Sequence, residues 1–499
     1  MKIMIRKIGV AYKIAAIFIA ILAVVSCKKT VAPAQLTIGN ITDTIPAGGG
    51  MVTLAFTCNA AWSIDTTGFG WLNLSQTSGG SGNATITLKG TADTIGMRRS
   101  LLLFLSAANG QARRITVIQD ARIYPSYNTS AIIADATGMG STATLLAANI
   151  TMGYNIYNSL EGPTETTWNP LVTQQLVDVI KQAGFNAVRI PVQYDESHII
   201  NKATAQIDPV WLARVKQVVQ YCYNDNLYVM VNIHWDGGWL DCTATGAKQD
   251  SINAKQQAYW EQIATTLRGF DEHLMFASAN EPNATDLPTS TVLMRYHQTF
   301  INAVRATGGK NAYRTLIIQA PTTSIDLANQ YLTAGLVVNP VKMPVDPTPN
   351  KMMLEFHYYT PSNFCILSGD ATWGKEWYFW GANFHSTNLA YLDRNSAAST
   401  EEHYVDSIFN TVKVNFASKG IPLVMGEYGT SYHADKLKGD SADSLLSVNS
   451  QMHFYSYLTK QAKANGVLPF LWASDAINRS NNTIGNQRTL DSLKKGAGL

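Results

Sequence analysis

Charged residues are scarce in this chain. Asp, Glu, Lys and Arg make up 15% of its 499 residues, where about a quarter is usual. The net charge is only +3, and the cations Lys2, Arg6, Lys7 and Lys13 all fall in the N-terminal leader. A balance this close to neutral, without a basic patch, excludes the electrostatic footprint of a nucleic-acid binder and suits an uncharged polymer. Cysteine is also sparse. Cys27, Cys58, Cys222, Cys242 and Cys365 show no CxxC spacing and no His/Cys cluster, which argues against a structural zinc site. The apolar run from Ile14 to Val25 is about 12 residues, too short to cross a bilayer as a helix, which takes about 20. What the chain has is hydrophobic mass: 46% hydrophobic and 10% aromatic residues, with 11 Trp and 22 Tyr. The length suits two or three domains.

The basic start and short apolar run of residues 1–26 read as a secretion signal. The run ends in Val24-Val25-Ser26-Cys27, which resembles a bacterial lipoprotein signal. That resemblance implies a lipid-bearing Cys27 as the mature N-terminus. Lys28 stands at the second mature position, where no acidic residue is found, and this favours the outer membrane over the inner one. Residues 27–36 are expected to form a tether. From 37 to 121 the pattern is all-β. Strand-like runs at Val52–Phe56, Ala84–Leu88, Ser100–Leu105 and Arg114–Ile118 are separated by turns such as Ala47-Gly-Gly-Gly50 and Ala107-Ala-Asn-Gly110. Short, evenly spaced strands predict a small immunoglobulin-like β-sandwich. The pieces around Trp62, Trp71, Thr77–Asn83, Arg98-Arg99 and Ile115–Gln119 resemble the BACON module of Bacteroidetes glycan-degrading enzymes. Trp62 and Trp71 at strand positions are expected in the core, which favours a spacer over a sugar-binding module. Residues 122–148 are expected to be a linker and lead-in, weakest at Gly138-Met-Gly-Ser-Thr142.

From residue 149 to 499, strand-like and helix-like patterns alternate. Eight strands are expected: Ile150–Ile156, Ala187–Val192, Tyr228–His234, Leu274–Ala279, Thr315–Ile318, Met352–Tyr358, Pro422–Glu427 and Pro469–Trp472. Helical stripes lie between them. Thr173 caps one that buries Leu176, Val177 and Ile180 and ends at Gly184. Eight such strands predict an α/β fold, a (β/α)8 TIM barrel. A doubly wound sheet is disfavoured because no glycine-rich phosphate loop follows the first strand.

Two strands end abruptly in a carboxylate. Leu274-Met-Phe-Ala-Ser-Ala-Asn-Glu-Pro282 stops at Pro282, which has no N–H for a ladder, so Glu281 falls at the strand's C-terminal end. Pro422-Leu-Val-Met-Gly-Glu-Tyr-Gly429 places Glu427 likewise. A parallel barrel carries its chemistry at that rim, and paired carboxylates are the minimum apparatus for cleaving a glycosidic bond. Arg189, His234, Asn280, His357, Tyr359 and Trp472 fall at the same ends. Any one of these has a structural reading, but together they point to a site.

Gly184–Pro191, Asn280-Glu281-Pro282, His357-Tyr-Tyr359 and Gly426-Glu-Tyr-Gly429, in this order, resemble glycoside hydrolase family 5. The resemblance implies Glu281 as acid/base, Glu427 as nucleophile, and Arg189, His234, Asn280, His357, Tyr359 and Trp472 as the surrounding shell. It also implies a retaining mechanism, with the carboxyl groups about 5–5.5 Å apart, and no metal or organic cofactor. Many relatives have His-His where this chain has His234-Trp235. Candidate sugar-binding aromatics are Trp168, Trp235, Trp239 and Trp373, with Trp377 and Trp380 in the same cluster. Stretches such as Lys255–Asn283 and Met352–Cys365 look like Bacteroidetes endoglucanases. The expectation is therefore an endo-β-1,4-glucanase of cellulose type, acting as a monomer. A xyloglucanase and a β-mannanase are the near alternatives, and a non-catalytic glycan-binding lipoprotein is the distant one. Cys242 and Cys365 fall in loops on one barrel face, where a disulfide is conceivable.

Overall fold

Alternation builds the N-terminal unit. In the strand Gly50–Cys58, Leu54, Phe56 and Cys58 point inward and their neighbours outward. Gly82–Gly90, Arg99–Ala107 and Ala112–Gln119 repeat the pattern, as a sheet with one buried face requires. The computed structural model describes residues 33–91, 93, 98–333, 340–437 and 439–499. The leader and Cys27 lie outside the described residues. The chain divides into two units, Met1–Arg122 and Ile123–Leu499.

The first unit is a sandwich of a four-stranded and a five-stranded sheet. Its core includes Leu54, Phe56, Ile86, Leu88, Leu103, Leu105, Ile115 and Val117. All four expected strands are present and longer than expected. The short strands Leu36–Ile38, Thr42–Ile45, Leu72–Leu74 and Ser78–Gly79 were not anticipated, and Trp62–Asp65 was marked only by Trp62 at a strand position; runs of two to four residues carry little periodicity. Trp62 is buried, edge-on to Phe56 at 5.0 Å. Gly79 lies so close to its ring that a Cβ there would fall 2.6 Å away. Trp71 is half-buried, with the Arg99 guanidinium 4.8 Å over its ring. Neither tryptophan is an open platform.

The second unit is a closed barrel of eight parallel strands. They are β1 (Gly153–Asn155), β2 (Ala187–Ile190), β3 (Tyr228–Asn232), β4 (Leu274–Ala277), β5 (Leu316–Gln319), β6 (Met352–Tyr358), β7 (Leu423–Tyr428) and β8 (Val467–Leu471). Each overlaps an expected strand. The helix Gln174–Gln182 is capped by the Thr173 side chain, buries Leu176, Val177 and Ile180, and is followed by Gly184 at φ +96°. Inside the barrel, Ala187, Met230, Met275, Ile317, Met353, Val424, Leu468 and Phe470 fill the lower layer. Gly153 is needed there, because a Cβ would lie 2.2 Å from the Phe470 ring.

Two expectations change. Residues 123–148 are not a linker; they are built into the barrel unit. Ser126 and the backbone of Tyr127 donate to the Glu261 carboxylate. Ser141 donates to Glu272 through its backbone and its hydroxyl, and Lys351 donates to the carbonyls of Met139 and Ser141. The helix Ala143–Asn149, capped by Thr142, packs Ala143 and Leu146 on the lower barrel layer together with Ile150. The Gly138–Thr142 run is the expected weakest point of that linker, yet Met139 is buried. Cys242 and Cys365 are both buried free thiols. The first follows β3 and receives its order from Asn283, which accepts from its backbone N–H at 2.7 Å. The second ends the short helix Ser362–Cys365 after β6, and no disulfide joins the two.

If the lead-in seals the barrel, Leu146→Ala lowers its stability by about 2–5 kcal/mol. In calorimetry, a chain begun at Asn149 loses the barrel's cooperative transition and a chain begun at Ile123 keeps it. A mere linker would leave all three like the full chain.

Candidate active site

A buried arginine organises the rim. Arg189 on β2 is fully buried, and burying a guanidinium is tolerable only when charges and hydrogen bonds surround it. Its Nη1 donates to Asn155 Oδ1 on β1 and to Glu427 Oε1 on β7, each at 3.0 Å. Its Nη2 donates to Asn280 Oδ1 just after β4 at 2.6 Å. Its Nε lies 3.0 Å from Glu355 Oε1 on β6, an ion pair without hydrogen-bond geometry. Burial lowers the Arg189 pKa, but Glu355 and Glu427 more than offset this and hold it above its ordinary value.

Glu427 is 5% exposed. Besides Arg189 it accepts from the Tyr359 hydroxyl at 3.0 Å. Burial, with the Glu427 charge, holds Tyr359 well above its ordinary value, so it remains a donor. Glu281, by contrast, is an open group whose side chain is 51% exposed. Its Oε1 lies 2.7 Å from His357 Nδ1. An oxygen of each of these two carboxylates and a ring nitrogen of His357 lie within 4.8 Å of one another. The two carboxyl groups therefore face one small space together, as a paired-carboxylate site requires.

β7 reaches this position through a bulge. Phe356 pairs with Met425 but His357 pairs with Glu427; on the other side Met425 pairs with Pro469 and Tyr428 with Leu471. One extra residue is therefore inserted between Met425 and Tyr428, and bulges re-aim the side chain that follows. Gly426 is the residue that permits it. A Cβ there would fall 2.0 Å from Glu355 Oε1. Gly429 has a similar duty, since a Cβ would lie 2.9 Å from the Trp472 carbonyl.

His234, Trp472, Asn280 and His357 fall at the same rim. His234 stacks on Trp472 with centroids 5.6 Å apart and planes 7° from parallel. Burial, then the Arg189 and His357 charges, hold His234 well below its ordinary value, so it is neutral. Trp472 is half-buried and also meets Tyr157 at 5.8 Å. Asn280 commits Oδ1 to Arg189, which leaves its Nδ2 as the free donor of the amide. Burial pulls His357 down, but Glu427, Glu281 and Glu355 outweigh it and raise its pKa to about 9. Burial pushes Glu281 up, but the hydrogen bond and charge of His357 and the charge of Arg189 hold it below its ordinary value. These opposite shifts favour the proton of this pair on His357 over Glu281.

The aromatics separate into two groups. Trp168, Trp235 and Trp373 are exposed by 56%, 63% and 63%. Trp239 lines the pocket beside His234, Asn280 and Glu281. Its Nε1 points to Asp236, and Lys255 covers its ring, so it is a wall held from behind. Trp377 packs against the core and Trp380 is fully buried, with Nε1 donating to the Thr400 carbonyl. Both are structural. Asn155, Glu355 and Gln319 were not anticipated. Asn155 donates to the carbonyls of Gly426 and Leu471, binding the ends of β1, β7 and β8 together. Gln319 donates to Glu355 Oε2 at 2.7 Å and accepts from the Ala279 N–H at 2.8 Å. The only available signal was a polar side chain inside an otherwise apolar strand.

A closed (β/α)8 barrel with paired carboxylates at its C-terminal rim is the architecture of a barrel glycosidase. Residues 152–477 match the model of cellulase (glycosyl hydrolase family 5), and residues 29–122 match that of the viral BACON domain. A xyloglucan-specific endo-β-1,4-glucanase of Bacteroides ovatus is 32% identical over 85% of this chain and 83% of its own. Endoglucanase A of Paenibacillus barcinonensis is 32% identical over 75% of this chain and 94% of its own. Among solved structures, a Bacteroides ovatus family 5 xyloglucanase in complex with a XXXG heptasaccharide aligns over 93% of this chain and 100% of its own, with TM-score 0.67 and 29% identity. The chain belongs to glycoside hydrolase family 5. It is an endoglucanase with a BACON-like domain at its N-terminal side.

Because His357 binds its proton more tightly in the folded state than its ordinary 6.5, its contribution to stability is fully present below about pH 6.5 and is lost as pH rises through about 9. Denaturant unfolding across that range should show a falling midpoint. In His357→Asn that part of the fall should be gone.

Proposed function

We propose that this protein is a retaining endo-β-1,4-glucanase in which Glu427 is the nucleophile and Glu281 the acid/base, with xyloglucan as its first substrate. The observation that carries the mechanism is the pairing of a buried carboxylate held by Arg189 and Tyr359 with an exposed one held by His357, their oxygens within 4.8 Å. Glu427 attacks the anomeric carbon while Glu281 protonates the departing sugar oxygen, leaving a glycosyl ester on Glu427. Water then attacks the ester as Glu281 takes its proton, which releases the sugar with its configuration retained.

The Glu281–His357 pair supplies the proton. Glu427 is the largest of the charges that hold the proton on His357. As the new bond to carbon consumes the Glu427 charge, that hold weakens, and the proton passes over the 2.7 Å contact from Nδ1 to Glu281 Oε1 and on to the leaving group. Asn280 Nδ2 is the donor for the 2-hydroxyl of the sugar being cleaved, a contact that strengthens in the transition state. Trp472, braced by His234 and Tyr157, is the floor beneath that sugar.

We favour xyloglucan over the cellulose-type expectation because the Bacteroides ovatus relative and a ruminal enzyme 34% identical in complex with XXLG are named xyloglucanases, while the equally similar Endoglucanase A of Paenibacillus barcinonensis supports cellulose-type glucans as the second reading. A broader reading, with unbranched glucans also cut, is favoured by a broad-specificity endoglucanase of Bacteroides salanitronis that is 29% identical. Trp168, Trp235 and Trp373 are the exposed rings available to stack on sugars. The basic start, the apolar run and Cys27 of the leader support secretion and a lipid anchor, and we read the enzyme as a monomeric outer-membrane lipoprotein whose sandwich is a spacer.

Glu427→Gln is expected to lower kcat by at least about 10⁴-fold, the scale seen when a nucleophile is removed. Glu281→Gln should lower it by about 10²–10⁴-fold, and less on an aryl glycoside whose leaving group needs no proton. Reducing-end assays on xyloglucan, mixed-linkage glucan, carboxymethylcellulose and galactomannan should rank xyloglucan first. Undiminished hydrolysis by Glu427→Gln refutes the mechanism, and galactomannan ranking first refutes the substrate. Cys27→Ala should release the protein from the membrane fraction.

A further inference from the structure

Below the two carboxylates of the proposed reaction lies a third. Glu355 on β6 is fully buried. Its Oε1 lies 3.0 Å from Arg189 Nε and 3.4 Å from His357 Nε2, and its Oε2 accepts from Gln319 Nε2 at 2.7 Å. It fills the space that a Cβ on Gly426 would take, so the bulge that aims Glu427 is shaped around it. It touches neither the cleft nor any group that would meet a sugar. A buried carboxylate is a costly way to fill volume, and a neutral glutamine has nearly the same shape.

Charge accounting through the reaction shows what the carboxylate does. In the resting site Arg189 and His357 are cations, facing Glu281, Glu427 and Glu355 as anions. When Glu427 forms the glycosyl ester it loses its charge, and Arg189 would be left as a buried cation without a counter-ion. A buried charge stripped of its partner is strongly destabilising. Glu355 is the group already in contact with Arg189 that keeps its charge at that stage.

We propose that Glu355 is a positioning residue for catalysis: it is the counter-ion that neutralises Arg189 while Glu427 is esterified, and through His357 Nε2 it sets the affinity of the His357–Glu281 pair for its proton. This rests on the assignment of Glu427 as nucleophile and Glu281 as acid/base. The charged or titratable groups facing His357 are Glu281 from the segment after β4, Glu427 from β7, Arg189 from β2, His234 from just past β3, Glu355 from its own strand and Tyr359 just past that strand's end. Removing the Glu355 charge removes one of the anions that favour protonated His357, so the pair should lose its proton at lower pH.

The test is the pH profile of the full-length Glu355→Gln protein on an aryl β-cellobioside and on xyloglucan. The alkaline limb of kcat/KM should move down by about 1 pH unit. The value of kcat should fall by about 10–100-fold, with KM changed by less than about 2-fold, the pattern of an interaction made in the transition state. Glu355→Asp, which keeps the charge but shortens its reach, should return the limb to within about 0.3 unit of wild type while kcat stays reduced. If Glu355→Gln does not fold, Glu355→Asp decides alone: a limb at the wild-type position with reduced kcat supports the proposal, and a displaced limb overturns it. A Glu355→Gln profile superimposable on wild type, with only thermal stability lowered, also overturns it. Glu427→Gln run alongside separates the two assignments. If it is inactive while the Glu355→Gln limb stays put, only the role of Glu355 falls. If it is active, the assignment of the nucleophile falls.

Discussion

The site depends on one buried guanidinium. Arg189 is the point at which β1, β2, β4, β6 and β7 meet chemically, through Asn155, Asn280, Glu355 and Glu427. A cation without access to water must be surrounded by acceptors, and meeting that demand fixes the orientation of each neighbour. The Asn280 amide turns its oxygen inward to Arg189. Glu427 is held by one oxygen to Arg189 and by the other to Tyr359. Asn155 presents its oxygen to Arg189 and spends its Nδ2 on the carbonyls of Gly426 and Leu471, which ties the reacting strand ends together. The packed barrel supplies the rigidity, and the arginine converts it into a specific arrangement of acceptors.

The two carboxylates differ because their surroundings differ. Glu427 is buried among donors, whereas Glu281 opens to the cleft and shares its only described side-chain bond with His357. One proton is divided between Glu281 and His357, and in the proposed reaction the largest of the charges that hold it on the histidine, Glu427, is the one consumed by the first chemical step. Coupling of this kind ties proton delivery to bond formation without a separate conformational event. It is the physical content behind assigning separate acid and base roles to two groups of the same chemical type.

Much of this was legible in the sequence because strand ends in a parallel barrel are marked by chemistry. Apolar runs that stop at Asn280-Glu281-Pro282 or Gly426-Glu-Tyr-Gly429 place their last polar residues at the rim. Arg189, His234, His357, Tyr359 and Trp472 follow from the same rule. Asn155, Gln319 and Glu355 were not legible as parts of the site, since a buried polar residue within a strand announces neither its partner nor its burial. The bulge at Gly426 was invisible for a related reason: the glycine answers to Glu355, a residue far away in sequence. The lead-in misled through composition, because the Gly-rich stretch at Gly138–Thr142 hides the helix Ala143–Asn149 that closes the barrel floor. Among the tryptophans, sequence could not tell exposed Trp373 from its buried neighbour Trp380, because both lie in a long loop and the difference is set by what packs against them.

The central claim is that Glu427 forms a covalent bond with the sugar. The direct measurement is mass spectrometry of protein inactivated by a 2-deoxy-2-fluoro β-cellobioside with an activated aryl leaving group, in which the fluorine slows both chemical steps and the leaving group keeps the first faster than the second, so the glycosyl ester accumulates. After proteolysis, the added sugar mass should sit on the peptide that contains Gly426-Glu427-Tyr428. A label on the peptide carrying Glu281 or Glu355, or inactivation with no label at all, would contradict the account.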